Sequence, residues 1–236
     1  MIDTTYRTED PELMDDFAME GENLCDALDK IAEINRLLGG NRITLDGVQT
    51  LIKNIPASKP ISIIDIGCGN GDMLRVLADF ADNQQLNFNL IGLDANDYTI
   101  RHAQKLSFHY PNISYLKKNV FDSDFETLEY DIALCTLTLH HFKETELLQL
   151  INLLHQKANI GIVINDLQRS ALAYRLFQLL GFVFRLKKMP REDGLTSILR
   201  GFKRQELIDY SKKTNLTKYS IRWKWAFRYQ WLISKT

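Results

Sequence analysis

Short apolar runs separated by turn residues dominate the middle of the chain. ISIIDIG from Ile61, NFNLIGLD ending at Asp94, ISYLKKNV ending at Val120, YDIALCTL ending at Leu137 and IGIVIND ending at Asp166 have the length and β-branched content of buried strands. Helical spacing fills the intervals near 72–82, 96–109 and 143–158. Strand and helix in alternation predict a parallel sheet with helices on both faces.

The two ends have a different texture. Between 12 and 54, Leu24, Leu28, Ile31, Ile34, Leu37 and Leu38 follow helical spacing until Gly39-Gly40 stops the run, and Pro56 and Pro60 bracket a linker. This divides the chain into an N-terminal helical cap, 1–56, and a main domain, 57–236. After the fifth strand, 171–186 is nearly apolar around its circumference and predicts a helical insertion. With Arg175, Gln178 and Arg185 inside it, this stretch is too short and too charged to span a membrane. It reads either as a buried core helix or as a lid suited to a lipophilic ligand. Lys187, Lys188 and Arg191 after it allow transient contact with an anionic membrane surface. PREDGLTSILRG then reads as a polar loop, a helix is expected near 203–214, and YSIRWKWA and FRYQWLIS are close enough to pair as a hairpin. Five parallel strands and a hairpin make a seven-stranded sheet.

Composition excludes several classes. With 236 residues, 45% apolar and 25% charged, the chain has ordinary globular proportions and is long enough to bury a core without covalent staples. Cys25, Cys68 and Cys135 lie far apart, in no spacing that indicates a disulfide framework or a zinc site, which fits a reducing compartment. The acidic start MIDTTYRTEDPELMDD lacks the basic-then-apolar texture of a secretory signal, so a cytoplasmic location is expected. The net charge of -1 conceals a segregation. Residues 1–33 carry eleven acids against Arg7 and Lys30, whereas 185–236 carry fourteen Lys or Arg against Glu192, Asp193, Glu206 and Asp209. Either one end meets a charged partner or the two ends pack together.

The sharpest chemical signal is DIGCGNGD at 65–72, directly after the first strand. Gly67, Gly69 and Gly71 permit a tight turn and close approach of a ligand to main chain at the carboxyl edge of the sheet. Asp72 stands where a dinucleotide fingerprint needs glycine, and the loop carries neither a basic residue nor a G-K-[ST] ending, so a ligand without phosphate is preferred. Asp94, ending the second strand, is placed either to accept from two vicinal ribose hydroxyls or to cap the next helix. Asp122, after the third strand, is suited to an adenine amino group or to a simple turn.

In this order the glycine loop, the acidic end of the second strand, the third-strand Asp and YDIALCTLTLHHF resemble the class I S-adenosylmethionine-dependent methyltransferases over about residues 57–236. The resemblance implies a doubly wound α/β sheet, mostly parallel, in the order 3-2-1-4-5-7-6 with an antiparallel last strand, and S-adenosylmethionine as cofactor with S-adenosylhomocysteine as product. LTLHHF, IVINDLQRS and REDGLTSILRGF are similar to a bacterial small-molecule subgroup related to the quinone-biosynthesis methyltransferases. Carried over residue by residue, Asp65 and Gly67 face the methionine moiety, with Cys68, Gly69 and Gly71 in the loop that makes room for it. Asp94, with Ala95 beside it, holds the ribose, while Asp122 and the backbone of Val120 and Phe121 hold the adenine. Cys135 and Thr136 line the sulfonium side, and Arg42 of the cap contacts the carboxylate.

The acceptor is read by elimination. The chain lacks [DN]-P-P-[YF] after strand four, lacks a Pro-Cys pair, and has no clustered carboxylates for magnesium, so a metal is not expected. His140 or His141 is left to take a proton from a phenol or carbon acid, with Asp166 and Arg169 beyond strand five as substrate-side candidates and Arg191 and Asp193 behind them. The expected reaction is methyl transfer to an oxygen or carbon of a small, lipophilic, aromatic, phenolic, quinone-like or polyketide-like acceptor. Two rivals remain. One is an RNA or protein methyltransferase using Trp223, Trp225, Phe227, Tyr229 and Trp231 as a stacking surface, although a nucleic-acid partner is not favoured. The other is a cofactor-binding module without catalysis.

Overall fold

The computed structural model describes residues 2–235, apart from the side chains of Asp124 and Glu126. Its centre is a sheet of β1 (Ile61–Ile66), β2 (Phe88–Asp94), β3 (Ile113–Lys117), β4 (Ile132–Thr136), β5 (Gly161–Leu167), β6 (Tyr219–Lys224) and β7 (Arg228–Ser234). The seven strands lie in the order β3-β2-β1-β4-β5-β7-β6, parallel except for β7, which is antiparallel to both its neighbours. Successive strand residues face opposite sides. Ile63, Leu90, Ile132 and Val163 therefore meet Val48 of α2 (Gly40–Ile52), Leu74 and Leu77 of α3 (Asp72–Gln84) and Ile100 of α4 (Asp97–Leu106). Ile64, Ala133, Ile162 and Trp231 meet Leu147 and Ile151 of α5 (Glu144–Lys157) and Leu207 of α8 (Arg204–Lys213). Each of these buried aliphatic side chains contributes on the order of 1.5–3 kcal/mol of hydrophobic stabilisation, which explains why β1, β4 and β5 read as nearly unbroken apolar runs.

Three helices gather over the carboxyl edge of this sheet: α1 (Glu22–Leu37), α6 (Ala171–Val183) and α7 (Lys188–Arg200). The last of these corrects the reading of PREDGLTSILRG as a loop. Pro190 stands in the first turn, where its missing N–H is harmless. Gly194 is not a turn residue but a crossing point, since a methyl group added there would lie 2.4 Å from the Phe177 ring of α6. The hairpin aromatics divide by strand: Tyr229 and Trp231 on the interior strand β7 are buried, whereas Trp223 on the edge strand β6 and Trp225 in the turn are exposed.

The two oppositely charged ends do meet. Residues 7–15 run across α7, with the Thr8 N–H on the Leu199 carbonyl at 3.3 Å and Arg200 on Asp15 at 2.6 Å, and Lys187 reaches Asp26 at 2.5 Å. Arg7, one of the few cations of the acidic end, donates to the carbonyls of Arg200, His140 and Phe142. No helix among the described residues is long and apolar enough to cross a membrane.

Gly71 closes the turn into α3 at φ +77°, and a Cβ there would meet the Tyr115 phenol, which is bonded to Ser107. Gly71→Ala should therefore lower the unfolding free energy by about 1–3 kcal/mol through left-handed strain and overpacking. Urea denaturation checks this, and an unchanged midpoint contradicts it.

Candidate active site

Between the sheet edge and the three covering helices lies a cavity of about 1050 Å³. This exceeds the usual range of about 300–1,000 Å³ for a single small-ligand pocket and leaves room for two molecules side by side. Its floor at one end is the glycine loop. Gly67 and Gly69 have φ of +66° and +53°, the Cys68 N–H donates to the Leu93 carbonyl at 2.8 Å, and the Gly71 N–H returns to the Cys68 carbonyl at 2.9 Å. The turn thus presents main chain to the cavity at Gly69, where an added Cβ would meet only Leu28 of α1.

Two carboxylates face this loop. Asp65, on β1, is 2% exposed and its Oδ1 has no hydrogen-bond partner. Burial, followed by the charge of Asp94, pushes its pKa up to about 8. Asp94, at the tip of β2, accepts from the Gly69 N–H at 3.2 Å and the Asn96 N–H at 3.0 Å. Burial raises its pKa, and these amides oppose the rise. A buried carboxylate without a donor calls for a cation, and a half-buried carboxylate with lone pairs to spare accepts hydroxyls. The pair suits an ammonium beside a ribose, which is what S-adenosylmethionine presents.

The sequence-derived residues separate into two groups. Asp65, Gly67, Cys68, Gly69, Asp94, Ala95, Val120, Phe121, Thr136, His140 and His141 all line the cavity. Arg42, Gly71, Asp122, Cys135 and Asp166 do not. Arg42 is exposed because helical rotation turns its neighbour Asn41 inward instead. Gly71 makes room for Tyr115 rather than for a ligand. Asp122 is exposed and accepts from the Asn119 N–H at 3.1 Å, leaving Asn119 at the cavity. Cys135 is fully buried in the core beneath α5, since strand alternation gives the cavity to Thr136. Arg169 is not a substrate-side residue either: it binds Glu206 at 2.6 Å and the carbonyls of Thr4, Thr5 and Gly201. Arg191 lies outside the lining, and Asp193 accepts from the N–H groups of Leu13 and Met14, clamping the N-terminal segment to α7.

Asp166 acts through a neighbour. Its Oδ1 lies 2.7 Å from His140 Nδ1 and its Oδ2 accepts the His140 N–H at 3.2 Å. Burial opposes its ionisation, but the charge and hydrogen bond of His140 and the Leu167 amide hold its pKa below the usual value. An ionised Asp166 accepts the hydrogen bond of the His140 Nδ1–H, the tautomer that leaves the Nε2 lone pair free. That nitrogen has no hydrogen-bond partner, and Glu12 Oε1 lies 3.6 Å away. His141 is stacked at 4.3 Å between ring centroids and has its Nδ1 2.7 Å from Asp15. Glu12, Asp15 and Arg200, which enclose the histidines, were not singled out in the sequence, because their positions in an acidic tail and a presumed loop carry no local motif. Among the described residues Glu12, His140 and His141 are close enough to share a metal ion, but Arg200 and Ser197 already satisfy Glu12 and Asp15 satisfies His141.

Burial also pushes Glu12 up to about pKa 7, against the opposing effect of His141. For both Asp65 and Glu12 the folded chain holds a proton that the unfolded chain releases above about pH 4–5. Their stabilising protonation is complete below that range and is lost as pH rises through 7 and 8. Thermal melts between pH 5 and 9 should show Tm falling with pH, with Asp65→Asn flattening the upper part of the fall. A slope unaltered by Asp65→Asn contradicts the assignment.

A methyltransferase-domain family model matches residues 63–161, from β1 to the start of β5. No curated protein matches the sequence. The plantazolicin methyltransferase BpumL in complex with SAH is similar in fold, with a TM-score of 0.64 and 18% identity over 89% of each chain. An O-methyltransferase family protein from Burkholderia thailandensis has a TM-score of 0.62 and 14% identity over 89% of this chain and 59% of that one. Magnesium protoporphyrin IX methyltransferase (ChlM) from Synechocystis PCC 6803 with bound SAM gives 0.54 and 14% over 87% and 84%. At these identities the structural likeness shows the fold, and none of it singles out the quinone-biosynthesis subgroup. The chain thus has the fold of the class I S-adenosylmethionine-dependent methyltransferases, and its residues 63–161 match the methyltransferase-domain model.

Proposed function

We propose that this is a cytoplasmic enzyme that methylates an oxygen or carbon of a small hydrophobic acceptor of aromatic, phenolic, quinone-like or polyketide-like character. The observation that carries this reading is the continuity of one cavity. It runs from the glycine loop, past His140 and His141, to an apolar wall of Met14, Phe142, Leu176, Phe177, Leu180 and Pro190.

S-adenosylmethionine, when bound, supplies an electrophilic methyl on a sulfonium. Asp65 would meet its ammonium, Asp94 its ribose, and Asn119, Val120 and Phe121 its adenine. Segment 1–56 acts as the cap, with Leu24 and Leu28 of α1 closing over the loop. On the acceptor side, His140 Nε2 takes the proton as the new bond to the methyl forms and the carbon–sulfur bond breaks, while Asp166 holds the ring. Such general-base assistance is worth on the order of 10²–10⁴ in rate. A small acceptor is favoured over RNA because Tyr229 and Trp231 are spent in the core, which leaves only Trp223, Trp225 and Phe227 of the five hairpin aromatics outside it. The outer face of α6 exposes Leu172, Leu179, Phe182 and Val183, and Arg175, Arg185 and Lys188 flank it, a pattern that supports transient contact with an anionic membrane from which a lipophilic acceptor could enter.

Labelled cofactor incubated with a fractionated lysate tests the reading. Label should appear in the organic-extractable fraction, and label confined to protein or RNA contradicts it. Asp94→Ala should weaken S-adenosylhomocysteine binding by about tenfold or more in calorimetry. His140→Gln and Asp166→Asn should lower kcat by about 10²-fold or more without that loss of cofactor affinity. Unchanged turnover in both removes His140 from the reaction.

A further inference from the structure

One charged group in the cavity has no role in the mechanism above. Arg228 opens β7 at the same sheet edge, opposite Leu167 of β5, and is 4% exposed. It lines the cavity together with Gln168, Trp225 and Phe227. Its Nε and Nη1 have no hydrogen-bond partner, and among the described residues no carboxylate forms an ion pair with it. Burial pushes its pKa down to about 10, and the charge of Asp166, itself committed to His140, opposes the fall.

This is not how the fold treats its structural arginines. Arg169, equally buried, uses its nitrogens on a carboxylate and three carbonyls, and Arg200 pairs with Asp15 and donates to the His141 carbonyl. A buried guanidinium without acceptors is destabilising by several kcal/mol in general, so its retention beside a cavity calls for an anion that arrives with a ligand. Its strand excludes the cofactor's amino-acid end as that anion. Asp65 stands on β1, and β4 and β5 separate it from β7. At about 4.8 Å per strand that is roughly 14 Å across the sheet, with His140, held by Asp166 of β5, in between.

We infer that Arg228 is the anion-binding residue of the acceptor subsite, and that the acceptor is a hydrophobic acid whose carboxylate lies against Arg228 while the atom to be methylated faces His140. The inference rests on the methyltransferase reading and narrows its acceptor class. A carboxylate matches the planar donors of the guanidinium, and the surrounding aromatic and aliphatic lining accepts the rest of the molecule.

Calorimetric titration of the complex with S-adenosylhomocysteine tests it, using 4-hydroxybenzoate and decanoate against their methyl esters as probes. At least one acid should bind about ten- to hundredfold more tightly than its ester, and Arg228→Met should abolish that preference while leaving the affinity for S-adenosylhomocysteine unchanged. Arg228→Lys should keep part of the preference. Arg228→Met should also melt at the wild-type temperature or above it, because it removes an unpaired buried charge. Equal binding of acids and esters, no binding of either acid, a parallel loss of cofactor affinity, or a lowered Tm in Arg228→Met each overturns the inference. Failure of S-adenosylhomocysteine to bind the wild-type chain instead overturns the methyltransferase reading beneath it.

Discussion

Asp65 is a carboxyl group placed where water cannot solvate it and where the chain offers no donor to one of its oxygens. The arrangement follows from β1 itself. A strand buried on both faces carries Ile61, Ile63, Ile64 and Ile66 into the core, and Asp65, the one acidic residue among them, faces the ligand cavity. Asp94 on the adjacent strand adds a like charge and pushes Asp65 further from ionisation. The resulting site is uncomfortable when empty of cations and comfortable with one, and the glycine turn that follows it leaves the space for that cation to come attached to a larger molecule. The other requirements of the fold, a left-handed Gly71, a cap over the loop and a tight β1–β2 register, serve to hold these two carboxylates in place.

The opposite half of the cavity has a different electrostatic logic. Four carboxyl groups, Glu12, Asp15, Asp166 and Asp193, surround the two histidines, and each is already engaged by a histidine, a guanidinium, a hydroxyl or a backbone amide. They build the site rather than bind in it. Arg228 is the exception, a charge left without a counterpart. One end of the cavity thus awaits a cation and the other an anion. That division assigns the cofactor to the β1 side and an acidic acceptor to the β7 side without help from any motif.

The strands and the cavity-facing loop were legible because apolar runs and glycine spacing are local signals, whereas the strand order followed from the family resemblance those signals carry. What the sequence could not show was direction. Arg42 and Asn41, Cys135 and Thr136, and Asp122 and Asn119 are close neighbours of which only the second of each pair reaches the cavity, and the choice depends on helix phase, strand parity or a turn closed by hydrogen bonds. Gly194 misled for a related reason: a glycine at a helix crossing and a glycine in a turn look alike until the Phe177 ring is placed against it. Arg228 carried no signal beyond parity, standing two residues before Gln230, whose amide donates to the Ile43 carbonyl of α2. The segregated charge of the two ends proved to be a packing device in part, joining segment 7–15 to α7.

The central claim is that Asp65 is protonated in the free chain and ionises when the cofactor's ammonium reaches it. Calorimetric titration of S-adenosylhomocysteine at pH 7 in two buffers of different ionisation enthalpy measures this directly. The account predicts release of up to one proton on binding to the wild-type chain and markedly less with Asp65→Asn. Binding with no proton released by the wild-type chain contradicts it.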